Sequence, residues 1–464
     1  MSNRKLIRNA RAIVTCDGAD RVWKDADILI EDGVIKAIGP NLAADGAQII
    51  DASHKFVYPG LINTHHHFFQ MFVRNMTGTI IKPRMELNDW IEKTYSIFKL
   101  VDSDVVYYSA LTALADLIKH GCTCAFDQNY NFNPNTGNTP IDLQMRAAAE
   151  LGIRFHAGRS TNTLPTAKGG MTPDCMVETV DEYLRDCERV IGLYHDPNPG
   201  SMRQIVMSPC MSTSCCRDTF VETVAMARSK GVYMHTHLAE GETGEMLEWY
   251  GKRPLDWCEE IGFAGEDVCY THCWELTNEE FGRMAKAGTS FSHCAVQSTM
   301  SGSVVNNLKE LINMGLTVSI GCDGGTTNDS SSLLDSLRVS YLMQRRGADE
   351  WGDALNPYEL LKVICNGGAR ALGRSDLGSL EVGKQADLFM IETDVLELCG
   401  ALHDPMSILA RCGVTGPVWL TMVGGNVIYQ EGHLLGVDEC VLAQKGEEVC
   451  TRVLREPSGA YLRI

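Results

Sequence analysis

At 464 residues, with 44% hydrophobic and 22% charged residues, the chain can bury a large core and has an ordinary globular composition. Its 41 Lys and Arg against 59 Asp and Glu give a formal charge of −18, which argues against a nucleic-acid binder or a protein held on an anionic membrane. The 18 cysteines are scattered without a C-x-x-C pair, no secretory apolar segment opens the chain, and no apolar run reaches the ~18 residues of a membrane helix; a reduced, soluble, cytoplasmic protein is expected.

Residues 1–59 alternate in β fashion, with turn signals at Glu31-Asp32-Gly33 and Gly39-Pro40. From Leu61 onward, eight short apolar runs read as strands: Leu61–His65, Cys122–Asp127, Ile153–Ala157, Gln204–Ser208, Val232–His237, Val268–His272, Thr289–His293 and Thr317–Cys322. Amphipathic stretches lie between them, including Asp104–Lys119, Pro140–Leu151, Asp218–Lys230 and Asn278–Ala287. This alternation predicts an α/β protein built on a (β/α)₈ TIM-like barrel over residues 60–376. After residue 377, segments such as Gly383-Lys384-Gln385-Ala386-Asp387-Leu388 and Val423-Gly424-Gly425-Asn426-Val427 again read as short strands and turns. Residues 1–59 and 377–464 are expected to pair into one small β-sandwich beside the barrel.

The polar residues fall where a barrel enzyme keeps its chemistry. His65, His67, Asp127, His237, His272, His293 and Asp323 each stand at or just beyond the C-terminal end of a strand candidate. His65-x-His67 places two imidazoles on one side of an extended segment, within reach of one metal ion. His237 ends the fifth candidate and Asp323 follows the eighth; three imidazoles and a carboxylate suit Zn²⁺, with Fe²⁺ as the alternative. Such an ion lowers the pKa of a bound water from 15.7 towards ~7. Glu240, three residues past His237, is placed to hold a proton for a substrate nitrogen, and His272 to hydrogen-bond the attacking water or a developing oxyanion.

Together with Pro59-Gly60-Leu61-Ile62-Asn63-Thr64-His65-His66-His67, the segment His237-Leu238-Ala239-Glu240, His272, Asp323 and Gly383-Lys384-Gln385-Ala386-Asp387 resemble the amidohydrolase superfamily, in its cytosine/guanine deaminase and chlorohydrolase branch. Ser208-Pro209-Cys210 has no lysine to bridge a second metal, which resembles the mononuclear members. Asn63–Gln70, Leu87-Asn88-Asp89-Trp90-Ile91, Gly121-Cys122-Thr123, Arg154–Arg159 and Gly400-Ala401-Leu402-His403-Asp404-Pro405 are similar to 8-oxoguanine deaminases. Gln128 after Asp127, and Ala295-Val296-Gln297-Ser298 after Cys294, depart from that group and leave the heterocycle open.

The resemblance implies a hydrolytic deaminase of an amino-substituted N-heterocycle, with one zinc ion per subunit held by His65, His67, His237 and Asp323. Asp323 would act as base, Glu240 would protonate the ring nitrogen, His272 would steady the tetrahedral intermediate, and Gln70 and Arg159 would contact the heterocycle's polar edge. It also implies a homo-oligomer, dimeric or higher. 8-Oxoguanine ranks first as substrate, followed by guanine, pterins, isocytosine and s-triazines, the last as chloro- or aminohydrolysis; the non-enzymatic alternative is an amidohydrolase-like scaffold.

Overall fold

The computed structural model describes residues 4–75, 87–348 and 350–455. Five strands open the chain: β1 (Arg4–Val14), β2 (Val22–Glu31), β3 (Val34–Gly39), β4 (Gln48–Asp51) and β5 (Lys55–Pro59). The barrel follows as β6 (Leu61–Asn63), β7 (Cys122–Asn129), β8 (Arg154–Arg159), β9 (Arg203–Met207), β10 (Tyr233–Leu238), β11 (Val268–His272), β12 (Ser290–His293) and β13 (Val318–Ile320). These eight strands pair in parallel in chain order, as the alternation of apolar runs and amphipathic stretches predicts. The last returns to the first: the Thr64 N–H donates to the Ile320 carbonyl at 3.3 Å, and the Thr64 and Ser319 hydroxyls lie 2.9 Å apart.

Four more strands, β14 (Leu388–Glu392), β15 (Leu420–Val423), β16 (Asn426–Gln430) and β17 (His433–Leu434), complete a separate nine-stranded sheet with β1–β5. The two chain ends meet where β5 runs antiparallel to β14, with Pro59 opposite Leu388 and Lys55 opposite Glu392. Ile7, Ile13, Ile28, Val57, Leu388, Met390 and Leu420 give this sheet a core of its own. Arg154, at the start of β8, fastens it to the barrel through two bonds to the buried Asp387 carboxylate, at 2.8 and 2.9 Å. Two parallel donors onto one carboxylate fix orientation as well as position.

Helix boundaries follow local chemistry. The helix Ser103–Lys119 starts where the Asp102 carboxylate accepts the Val105 N–H at 2.9 Å, and Asn278–Ala287 starts at a Thr277/Glu280 capping box. The structure adds a helix, Glu439–Leu454, to the strands and turns expected of the C-terminal segment. It docks on Ser103–Lys119, with Arg452 bridging Asp102 and Asp104 and Glu439 bonded to Lys119. A further helix, Leu87–Phe98, carries Trp90, Ile91 and Tyr95 over the C-terminal mouth of the barrel.

Candidate active site

β6 ends at Asn63, and the next four residues leave the pleat at the barrel mouth. Two polar side chains hold that exit. Asn63 accepts the Cys322 N–H at 3.0 Å and donates to the Phe126 carbonyl at 3.0 Å, while the Thr64 hydroxyl meets those of Ser292 and Ser319. Gly321 lets the turn pass closely, since a Cβ there would lie 2.6 Å from the Cβ of His65. His272 and Asp323 stand at φ values of 71° and 67°, a region that L residues enter at a cost of about 1–3 kcal/mol each. Both side chains line the cavity at the mouth.

His65, His67, His237, His272 and Asp323 converge, all buried. One ligand atom each from His65, His67 and Asp323, and from His65, His237 and His272, lie within 4.8 Å of one another. The Asp323 carboxylate is 3.4 Å from His67 Nε2 and 3.6 Å from His65 Nε2. The tautomers of two of these rings are set by backbone carbonyls. His67 Nδ1 faces the Gln128 carbonyl and His237 Nδ1 the Cys210 carbonyl, each at 2.8 Å, so both Nδ1 atoms carry the proton. Both Nε2 atoms then present lone pairs, 3.2 Å apart. Two lone pairs at that distance repel unless a cation lies against them. His65 Nε2 is likewise buried without a hydrogen-bond partner, while its Nδ1 meets His235 Nε2 at 3.0 Å. This donor set fits a divalent ion of zinc's preferences, which His65, His67, His237 and Asp323 could hold.

The electrostatics separate the two carboxyls. Burial pushes His237 down to about 4 and lowers His65 and His67 as well, leaving neutral rings able to ligate. Burial opposes ionisation of Asp323, but His272, His67, His237 and the Gly324 N–H together hold its carboxyl below the usual range. Burial, followed by the charges of Asp323 and Glu242, pushes Glu240 well above its usual value. Glu240 is therefore biased towards its protonated form and Asp323 towards its ionised form; carboxyls divided in this way serve as acid and base. His272 stands between them, its Nε2 3.3 Å from Glu240 and 4.0 Å from Asp323.

These groups floor a cavity of about 450 Å³. Gln70 lines it as expected, with its amide held: the Thr326 N–H fixes Oε1 as acceptor, and Nε2 donates to the Tyr130 hydroxyl at 2.7 Å. Trp90, Ile91, Trp274, Met300 and Val304 form the outer wall; apart from Trp90 and Ile91, none is signalled by a motif.

Arg159, expected at the substrate's polar edge, is not brought to the cavity. Its guanidinium is fully buried, bonded to Glu178 at 2.6 and 2.9 Å and to Asp186 at 2.6 Å, and lies 3.5 Å over the Phe132 ring. These carboxylates arrive from the segment after β8 and occupy the donors a heterocycle would need. Arg159→Leu, which leaves both acids short of their cation, is expected to destabilise the fold by about 3–5 kcal/mol in urea unfolding, with KM of the folded enzyme unchanged.

Asp127 and His293 also lie outside the cavity lining among the described residues. Asp127 accepts the Phe68 N–H and a 2.7 Å bond from Gln144 Nε2. Burial nevertheless pushes its carboxyl up to about 8 from an ordinary 3.8. The folded state thus holds this proton more tightly than the unfolded chain, and the stability it brings is lost as pH rises from 3.8 to about 8. Unfolding of Asp127→Asn at several pH values should lack that decline.

An eight-stranded barrel with a His/Asp donor cluster at the C-terminal ends of its strands is the arrangement of a metal-dependent barrel hydrolase. The profile of the amidohydrolase family matches residues 56–428, and the chain belongs to that family. It is 42% identical over 463 residues to hydroxydechloroatrazine ethylaminohydrolase of Pseudomonas sp. (strain ADP), covering 97% of this chain and 96% of that protein. It is 33% identical to 8-oxoguanine deaminase of Pseudomonas aeruginosa, over 95% and 97% of the two chains. The crystal structure of atrazine chlorohydrolase from Arthrobacter aurescens TC1 complexed with zinc is 30% identical with a TM-score of 0.91, over 96% and 99% of the chains. The chain is therefore an enzyme of the amidohydrolase type, related to deaminases, an aminohydrolase and a chlorohydrolase.

Proposed function

We propose that this enzyme hydrolytically removes an amino or alkylamino group from a neutral, hydroxylated N-heterocycle, using one zinc ion held by His65, His67, His237 and Asp323. The carrying observation is geometric: the Glu240 and Asp323 carboxyls face His272 Nε2 at 3.3 and 4.0 Å in one cavity, beside the cluster of His65, His67 and Asp323. Zinc, when bound, supplies an activated water at neutral pH. Asp323 takes up a proton as the ring carbon is attacked and later delivers it to the departing amine. Glu240 protonates the adjacent ring nitrogen, so that negative charge does not accumulate on the heterocycle. His272 hydrogen-bonds the oxygen added to the ring, and Gln70 presents its second Nε2 hydrogen to an acceptor on the ring edge.

Substrate choice turns on the outer wall. Met300 and Val304 remain 44% and 56% exposed while lining the cavity, apolar surface that an N-alkyl arm would cover. That feature, with the 42% identity to an ethylaminohydrolase, supports an N-alkylamino hydroxytriazine as the first substrate to test. 8-Oxoguanine is the second reading, supported by the 33% identity to its deaminase and by the amide of Gln70 at the cavity. The deciding experiment measures release of ethylamine by the zinc-loaded enzyme from N-ethylamino hydroxytriazines, and of ammonia from 8-oxoguanine, guanine, a pterin and isocytosine. Preference for the triazines supports the first reading and preference for 8-oxoguanine the second; neither amine nor ammonia from any of them rejects the proposed reaction.

A further inference from the structure

We propose that Glu242 is a positioning residue whose carboxylate holds the backbone of the catalytic loop so that Glu240 faces His272. The inference rests on Glu240 being the proton donor of the proposed reaction.

Past Leu238 the chain must reverse sharply to return the Glu240 side chain to the cavity. It does so through Ala239 at φ 52° and Gly241 at φ 129°. Ala239 has no glycine's freedom there, and a left-handed L residue costs about 1–2 kcal/mol, so the turn needs an external hold. Glu242 supplies it from inside the loop. One carboxylate oxygen accepts the Ala239 N–H at 2.6 Å and the other the Glu240 N–H at 2.7 Å. Successive N–H groups converging on one carboxylate form a compact nest, and these bonds favour its ionised form against the burial that pushes it up to about 7.

The hold extends to the neighbouring loop. The Ala239 carbonyl accepts the Glu275 N–H at 3.1 Å, and the Leu238 carbonyl accepts that of Cys273, directly after His272, at 2.9 Å. The Glu275 carboxylate in turn accepts the N–H and hydroxyl of Thr243, the residue following Glu242. The loops carrying Glu240 and His272 are thus closed into one ring of bonds, with Glu242 2% exposed within it. The carboxylate does not line the cavity; its action on the chemistry passes through the Glu240 backbone.

Glu242→Gln keeps the shape but faces one N–H with a competing NH₂. Hydrogen exchange of the peptide spanning Leu238–Thr243 should lose protection at Ala239 and Glu240, with bound metal and overall unfolding little altered. On whichever heterocycle the wild type turns over, kcat should fall about 10²-fold with KM nearly unchanged, as expected of a misplaced reacting group. In a Glu240→Gln background the same change should cost nothing further in kcat. Effects that multiply in the double variant, or exchange that stays at the wild-type level, would overturn the proposal. If Glu242→Gln fails to fold, Glu242→Asp, whose shorter arm reaches one N–H, serves in the same cycle and should lie between. An inactive wild type would reject the proposed reaction, while the exchange result would still decide whether Glu242 holds the loop.

Discussion

Asp323→Asn should lower kcat by about 10³–10⁴-fold, the upper part of the range for a single group that moves protons in the transition state. The amide keeps the shape of the side chain, and its oxygen can still accept the Gly324 N–H that Asp323 takes at 2.7 Å. It has no ionisable oxygen to receive a proton, and it loses the negative charge set 3.4 Å from His67 and 3.6 Å from His65. Two losses are therefore combined, and metal analysis separates them. Weaker zinc retention is expected after dialysis, and saturating zinc should recover only the part of the deficit due to ligation. A variant within tenfold of wild type at full metal loading would remove Asp323 from the proton-transfer role.

His237→Ala should abolish stoichiometric metal and reduce activity by more than about 10³-fold, because an ionised nucleophile at neutral pH depends on the metal. The structural signature is as informative as the kinetic one. A ligand that binds only the folded state stabilises it by about 4 kcal/mol at roughly 1,000 times its Kd, so chelation should lower the wild-type Tm measurably. In His237→Ala the chelator should leave Tm nearly unmoved. The substitution also dissolves the opposed pair of lone pairs on His67 and His237, 3.2 Å apart, which destabilises the metal-free wild type but not the variant. If the variant instead keeps bound zinc and a chelator-sensitive Tm, His237 is not a ligand.

Much of the frame was legible because it depends on local pattern. The apolar runs marked all eight barrel strands, Val268–His272 to the residue, and the helices Pro140–Leu151 and Asn278–Ala287 have the bounds their sequences suggest. His65, His67 and Asp323 could be found because paired histidines and acids at strand ends have few packing explanations. What stayed hidden is what the backbone and distant partners supply. The Gln128 and Cys210 carbonyls that set the imidazole tautomers belong to residues whose identity says nothing about that task. Arg159 has the right position for a substrate contact, yet Glu178 and Asp186, 19 and 27 residues onward, take its donors. Glu242 looks like one more solvated acid until Ala239 is seen at positive φ above it. The C-terminal helix escaped because its apolar residues answer to a groove on another helix, not to a sheet.

The pairing of β5 with β14 bears on how the polypeptide is made. Lys55 and Glu392, bonded at 2.5 Å across these strands, are 337 residues apart. At a synthesis rate of about 5–20 residues per second, β5 emerges tens of seconds before its neighbour exists. During that interval β1, β2 and β3 can assemble, but the open side of β5 offers unpaired N–H and C=O groups to any other nascent strand. In the barrel each strand is followed by its neighbour, and only the closing contact of Thr64 with Ile320, 256 residues on, waits in the same way. Translation thus leaves the terminal sheet to be completed last, so chains that stop short of Leu388 expose an adhesive edge whether or not their catalytic barrel has formed.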